Sequence, residues 1–377
     1  MNFYVYTKRI ALTYILLMVT AGCKTSSNGD MLIISYSAAH EYSEAELLSG
    51  EIIFGEKLTD EDLPEVPVIA LNQEMEDFLE EHVMRTRGTS AKAKKLAKAL
   101  FDPNKLGMRY DPRQTYTAID AFDHKMGNCL AFSYLYTAFA KKAGLNTSFQ
   151  EVEIPLVWDS AGEDFRTVSR HVNVLLSQGG REDLVIDIDS VSVADDFKVK
   201  PLSEEHAEAL YYGDMGSIYL LNEQYRLAFK YISKALRLAP QEAPSWTNLG
   251  VLYRRMGLDD YAERAHYIAL EYDNYNQSAI GNLSFLYRQA GDFQKEKYFD
   301  DISDSFHLEN PSYRYFKAKE AYDENKYEEA LDHISNAISK NKSDAKFYKL
   351  QGDIYGSLGE LKKSERALRR AQSLNKS

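Results

Sequence analysis

Cys129, His171 and Asp187 are the residues of this chain whose types and order could break an acyl bond. Cys129 follows Gly127-Asn128 and opens an apolar run to Lys141, so a helix is predicted with the thiol on its first turn. At a helix N-terminus the unpaired backbone N–H groups and the helix dipole favour a thiolate, and the same N–H groups can stabilise an oxyanion. His171 lies 42 residues further on and opens the strand-like segment His171–Leu176; Asp187 follows 16 residues later, in the strand-like Leu184–Ile188. Neighbouring antiparallel strands would set the imidazole beside the carboxylate. A thiolate then attacks a carbonyl, the imidazole takes and returns the proton, and the carboxylate fixes the imidazole tautomer. Asp189 faces the same side as Asp187 and is its rival for the third role. Asn173 shares a strand face with His171 and is a candidate to line the cleft.

The elements that must position these residues follow an α+β order. Leu71–Met84 and Ser90–Phe101 have helical apolar spacing, and Thr117 is a plausible N-cap for a short helix ending at His124. The cysteine helix is apolar nearly all round (Leu130, Phe132, Tyr134, Leu135, Tyr136, Phe139), the mark of a buried central helix. After Gly144 come strands over Thr147–Ile154, His171–Leu176 and Leu184–Ile188, the last two joined through Gly179-Gly180. Between the first two strands, a loop around Trp158 is placed to cover the cleft or to pack at an interface.

The N-terminus reads as a targeting segment. Lys8 and Arg9 precede a short apolar run, Ile10–Val19, and Thr20-Ala21-Gly22-Cys23 closes it with small residues before a cysteine. That run is too short to span a membrane and has the architecture of a secretory signal. The ending resembles a bacterial lipoprotein cleavage box, which implies lipid on Cys23, removal of residues 1–22 from the fold, and an envelope location, outer-membrane by the lysine that follows. Cleavage would take Lys8 and Arg9 with it and move the net charge from −12 to −14. With Cys23 lipidated, Cys129 has no disulfide partner. A negative chain argues against a general nucleic-acid binder, whose footprint is a basic domain. Scattered histidines, no HExxH, no paired cysteines and no glycine-rich phosphate loop give no reason to expect a metal or cofactor.

From Ala209 onward the chain repeats. Gly216, Gly250, Ser284, Ala318 and Gly352 stand 34 residues apart, as do Ala235, Ala269, Ser303, Ala337 and Ala371, with Tyr219, Tyr253, Tyr287 and Tyr355 in phase. Small residues recur where two helices must approach closely. The pattern resembles the tetratricopeptide repeat, a helix–turn–helix unit that stacks into a solenoid, and five units fill residues 209–377. The resemblance implies a concave surface, to which Arg254, Arg255, Arg288, Tyr315 and Tyr322 would contribute. A basic groove there could take an acidic or C-terminal carboxylate peptide.

The stretch from about Val66 to Asp189 resembles the transglutaminase-like superfamily, and the whole chain looks like the bacterial lipoproteins that join such a domain to tetratricopeptide repeats. The motifs that carry this are Tyr110-Asp111, Thr115-Tyr116-Thr117-Ala118, Gly127-Asn128-Cys129-Leu130, Phe149-Gln150-Glu151-Val152, His171-Val172-Asn173-Val174 and Val185-Ile186-Asp187. The resemblance implies a papain-like fold over residues 63–205 and Cys129, His171 and Asp187 as a triad. The oxyanion donors would be the Cys129 N–H and Tyr110 or Tyr116, and residues 23–62 form a tether and N-terminal extension. The expected function is an envelope-anchored thiol enzyme acting on a peptide or amide bond, as peptidase, amidase or transamidase, with the repeats recruiting a protein partner or substrate. The alternative is a non-catalytic scaffold whose repeats bind the partner and whose papain-like domain is a docking platform.

Overall fold

The computed structural model describes residues 4–7, 42–152, 171–179, 182–188 and 199–374. These fall into two compact units that part after Ala279. The first unit combines the thiol-bearing domain with two helical repeats.

The first unit is built around one helix, α6 (Cys129–Lys142), with every residue from Cys129 to Ala140 buried. Its N-cap is Asn128, whose side chain accepts from the Ala131 N–H. Around it lie α3 (Gln73–Leu79, continued by a π-type turn to Met84), α4 (Thr89–Phe101) and α5 (Ala118–His124, capped by Thr117). On another side α6 packs against β4 (Thr147–Val152) and β5 (His171–Leu176). Alternation along β5 puts Val172, Val174 and Leu176 into the same core as Leu135 and Phe139, which leaves His171 and Asn173 for the other face.

Among the described residues the sheet has five strands, all antiparallel neighbours, in the order β1-β6-β5-β4-β7, where β6 is Leu184–Asp187 and β7 is Val199–Leu202. A separate two-stranded parallel bridge joins β2 (Arg109–Tyr110) to β3 (Met126–Gly127), just before the cysteine. The edge strand β1 is Tyr4–Thr7, paired with β6 so that Tyr4 stands opposite Asp187. This strand lies within the segment expected to be a targeting signal. It pairs there because Tyr-Val-Tyr-Thr is a strongly β-favouring segment and β6 has an open edge to offer it. A chain cut before Cys23 lacks this strand.

Two repeats complete the first unit: α7 (Glu204–Leu221) with α8 (Tyr225–Leu238), and α9 (Ala243–Arg255) with α10 (Asp259–Tyr272). Ala207, Leu210, Tyr211 and Tyr212 of α7 belong to the same core as α6, and the Tyr134 hydroxyl donates to the Ala207 carbonyl at 2.5 Å.

Residues 42–66 belong to the first unit. They run as a strap along these two repeats, through the single turns α1 (Glu44–Leu47) and α2 (Glu51–Phe54). Tyr42 stacks near Tyr261, with ring centroids 4.3 Å apart, and its carbonyl accepts from Arg264 Nε at 3.0 Å. Tyr253 donates to the Leu47 carbonyl. The Arg226 guanidinium lies 4.3 Å from the Phe54 ring centre, and Arg237 pairs with Asp60. Lys234 pairs with Glu65 at 2.6 Å, and the Val66 N–H donates to the Tyr212 hydroxyl at 2.7 Å. An acidic segment thus lies on a basic and aromatic helical face.

The described residues of the second unit form helices and their connecting turns. The unit comprises most of α11 (Gln277–Ala290), then α12 (Phe293–Glu309), α13 (Pro311–Asp323), α14 (Tyr327–Lys340), α15 (Ala345–Ser357) and α16 (Leu361–Leu374). Its core includes Ala318, Ala330, Ile334, Ala337, Phe347, Leu350 and Ile354.

The 34-residue phase of small residues has a direct cause. A Cβ on Gly216 would stand 2.6 Å from Ile232, one on Gly250 2.5–2.7 Å from the His266 ring, and one on Gly352 2.7 Å from Leu368. In the third repeat the small residue is Ser284, and its hydroxyl donates instead to Asp300 at 2.5 Å.

Candidate functional site: a buried Cys–His–Asp constellation

The structure brings Cys129, His171 and Asp187 together. His171 Nε2 lies 2.8 and 2.9 Å from the two oxygens of Asp187. The ring makes a second hydrogen bond, to Cys129. With Nε2 engaged by the carboxylate, Nδ1 is the nitrogen left for the thiol. All three residues are deeply set: Cys129 is 9% exposed, His171 3% and Asp187 1%.

Burial pushes the imidazolium pKa down. The hydrogen bonds to Asp187 and to Cys129, with the charges of both, push it up further, and it stands raised to about 10. The histidine is therefore held in its charged form at neutral pH.

Asn173 Nδ2 donates to Asp187 Oδ2 at 3.0 Å. Its role is to hold the carboxylate, so Asp187 receives bonds from two neighbours on β5. The buried Oδ1 of Asn173 has no hydrogen-bond partner among the described residues, and neither has Gln150 Oε1, directly opposite on β4.

The thiol is supported from its own helix. The Ser133 hydroxyl, one turn on, donates to the Cys129 carbonyl at 2.8 Å and stands 3.3 Å from the Val172 carbonyl, beside His171. Gly127 is required where it is, since a Cβ there would stand 2.7 Å from Ala131. The Cys129 N–H sits in the first turn of α6, as an oxyanion donor would. Of the two tyrosines, Tyr116 stacks on His124 (4.7 Å between centroids) and Tyr110 packs against the core from β2. Asp189, Trp158 and Cys23 lie outside the described residues.

The repeat arginines each have contacts close by. Arg288 is engaged within its own hairpin, with Glu296 at 2.5 Å and Asp300 at 3.6 Å. Arg255 reaches the Leu220 carbonyl at 3.4 Å, and Arg254 lies half-buried near His266. Among the described residues no group of three or more His, Cys, Asp or Glu side chains is placed to hold a metal.

The parts played by Asn128, Thr115, Ser133 and the strap are not among the sequence-based expectations. Asn128 could have been found, because asparagine directly before an apolar helical run is an N-cap signal.

A family model for the tetratricopeptide repeat matches residues 209–242 and 345–377, the first and fifth units. The chain carries tetratricopeptide repeats. Such repeats generally bind protein or peptide partners. No curated protein matches the chain. Among solved structures, YrrB, described as a tetratricopeptide-repeat protein with an unusual peptide-binding site, is 16% identical over 44% of this chain and 86% of its own, at a TM-score of 0.25. PilF of Pseudomonas aeruginosa is 14% identical over 45% of this chain and 78% of its own, at 0.27. MamA of AMB-1 is 16% identical over 44% and 98%, at 0.24. Scores this low leave the repeat assignment resting on the family model.

Proposed function

We propose that this is a thiol acyl-transfer enzyme acting on a peptide or amide bond, joined to repeats that bind a protein partner or the substrate itself. The observation that carries the reading is His171, held by both oxygens of Asp187 through Nε2 while its ring also bonds Cys129 at the start of α6. Cys129 Sγ, having given its proton to His171, attacks the carbonyl carbon. The oxyanion forms beside the first-turn N–H groups. His171 returns the proton to the leaving amine as the C–N bond breaks, which leaves a thioester on Cys129. Water or an amine then attacks that thioester, giving its proton to His171, and the thiolate leaves. Hydrolysis and transamidation share these residues. The resemblance to the transglutaminase-like superfamily and to papain-like folds supports this reading, as does a thiol-bearing central helix packed on an antiparallel sheet. A lipid anchor on Cys23, supported by the signal-like N-terminus, would hold the protein at the bacterial envelope.

A second reading is an interaction scaffold in which the thiol domain serves as a docking platform. The comparisons favour it, because the family model reaches the repeats alone. The deep setting of Cys129 is also in keeping with it.

The two readings separate on thiol chemistry. In the Cys23→Ser chain, an enzyme gives Cys129 alkylation that persists to about pH 6 and falls at least about tenfold in His171→Ala. A rate that rises only with alkalinity and ignores His171 leaves the scaffold.

A further inference from the structure

The nucleophile's helix is capped through a relay that ends in the first repeat. Asn128 Oδ1 accepts from the Ala131 N–H at 2.9 Å, and its Nδ2 donates to Thr115 Oγ1 at 2.7 Å. Thr115 Oγ1 in turn donates to Asp214 Oδ2 at 2.7 Å, and Asp214 lies in α7. Thr115 and Asn128 are 8% and 9% exposed, so water has little access to substitute for a lost partner.

The relay can run in one direction only. An ionised carboxylate accepts and never donates, so it claims the single proton of the Thr115 hydroxyl. The hydroxyl oxygen must then accept, and only the amide nitrogen of Asn128 can supply it. That fixes which end of the Asn128 amide faces α6. A reversed amide would set NH2 against the Ala131 N–H, two donors face to face, and would undo the cap beside Cys129.

From this geometry we propose that Asp214, a residue of the first repeat, is a positioning residue for Cys129: it sets the polarity of the Thr115–Asn128 relay and so the aim of the first turn of α6. The first repeat is then part of the thiol site and not a separable module. The proposal rests on the thiol reading given above.

The test uses the full chain carrying Cys23→Ser and reads the rate and pH profile of Cys129 alkylation, with Tm beside it. Thr115→Val removes the hydroxyl at nearly constant shape, and Asp214→Leu removes the acceptor. Each should slow alkylation about tenfold at neutral pH, the size of effect a small misplacement of a reacting group produces. Thr115→Ser keeps the relay's donor and acceptor and should alkylate as the wild type does. Wild-type rates in Thr115→Val and Asp214→Leu, alongside a slow His171→Ala, would overturn the inference while leaving the thiol reading intact. Thr115→Ser as slow as Thr115→Val would also overturn it, since a hydroxyl at this position would then not be what keeps the cap. Indifference to His171→Ala would instead sink the thiol reading itself.

Discussion

Asp187 grips His171 with both carboxylate oxygens, at 2.8 and 2.9 Å from a single ring nitrogen. One N–H cannot point at two acceptors with ideal geometry, so this contact is as much ionic as it is a hydrogen bond. Asn173 occupies one of the same oxygens from a neighbouring position on β5. The carboxylate is thus fixed between two strand side chains, and the imidazole is oriented before any substrate arrives.

The pair links protonation to stability. His171 has a pKa raised from 6.5 to about 10 in the folded chain. Its contribution is fully present below about pH 6.5, the unfolded value, and is lost as pH rises towards 10. Urea unfolding between about pH 6.5 and 9 should show stability falling as pH rises, by at most about 1.4 kcal/mol per pH unit and by less wherever the proton on His171 is one that Cys129 has given up. His171→Gln should flatten that slope. An unchanged slope in the variant would mean that the folded state does not hold this proton.

His266 links in the opposite direction. It is wholly buried, neither ring nitrogen has a hydrogen-bond partner among the described residues, and Arg254 lies nearby. Burial first and the arginine second lower its pKa from 6.5 to about 3. Between those values the unfolded chain binds a proton that the folded chain refuses, so stability is lost as pH falls from 6.5. The expected loss is about 1.4 kcal/mol per pH unit. His266→Leu fills the same space without a titrating group and should remove this acid sensitivity, measured by denaturation at steps from about pH 6.5 down to about pH 4.5.

Two glycine substitutions should move stability in opposite directions. Gly216→Ala places a methyl 2.6 Å from Ile232 Cγ1 and 3.2 Å from its backbone nitrogen. Overpacking of this kind costs about 1–3 kcal/mol. Gly281, inside α11, has open space within 4 Å of where a methyl would stand, so Gly281→Ala should gain about 0.5–1 kcal/mol through lost chain entropy in the unfolded state. Thermal melts of the two variants decide the matter; a stabilised Gly216→Ala would refute the close-approach account of the repeat phase.

Much of this arrangement was legible in the sequence, and the parts that were not share a cause. The helix from Cys129 announced itself by its apolar run, the strands of His171 and Asp187 by their composition, and the repeats by their 34-residue phase. Each of these signals is local. Strand β7 is not legible in the sequence because Val-Lys-Pro-Leu contains a proline, which argues against a strand interior; Pro201 is tolerated because, among the described residues, β7 is an edge strand paired with β4 alone. The grip of Asn173 on Asp187 depends on side-chain direction and register, which strand composition does not specify. Arg288 looked available until its partner Glu296, eight residues away, came to lie across the hairpin. The strap and the Asp214 relay join residues too distant in sequence for any local pattern to reveal.

The strap also sets an order of events during synthesis. Its contacts span 146 residues from Val66 to Tyr212, 206 from Leu47 to Tyr253 and 222 from Tyr42 to Arg264. At about 5–20 residues per second, a ribosome needs on the order of 10–40 s to deliver those partners after the strap itself has emerged. Through that interval Tyr42, Leu47 and Phe54 have no surface to rest on, and α7 is missing from the core around α6. The nascent chain must therefore keep a sticky N-terminal segment apart until its second repeat is made, and the thiol domain reaches its final packing only when the first repeat arrives.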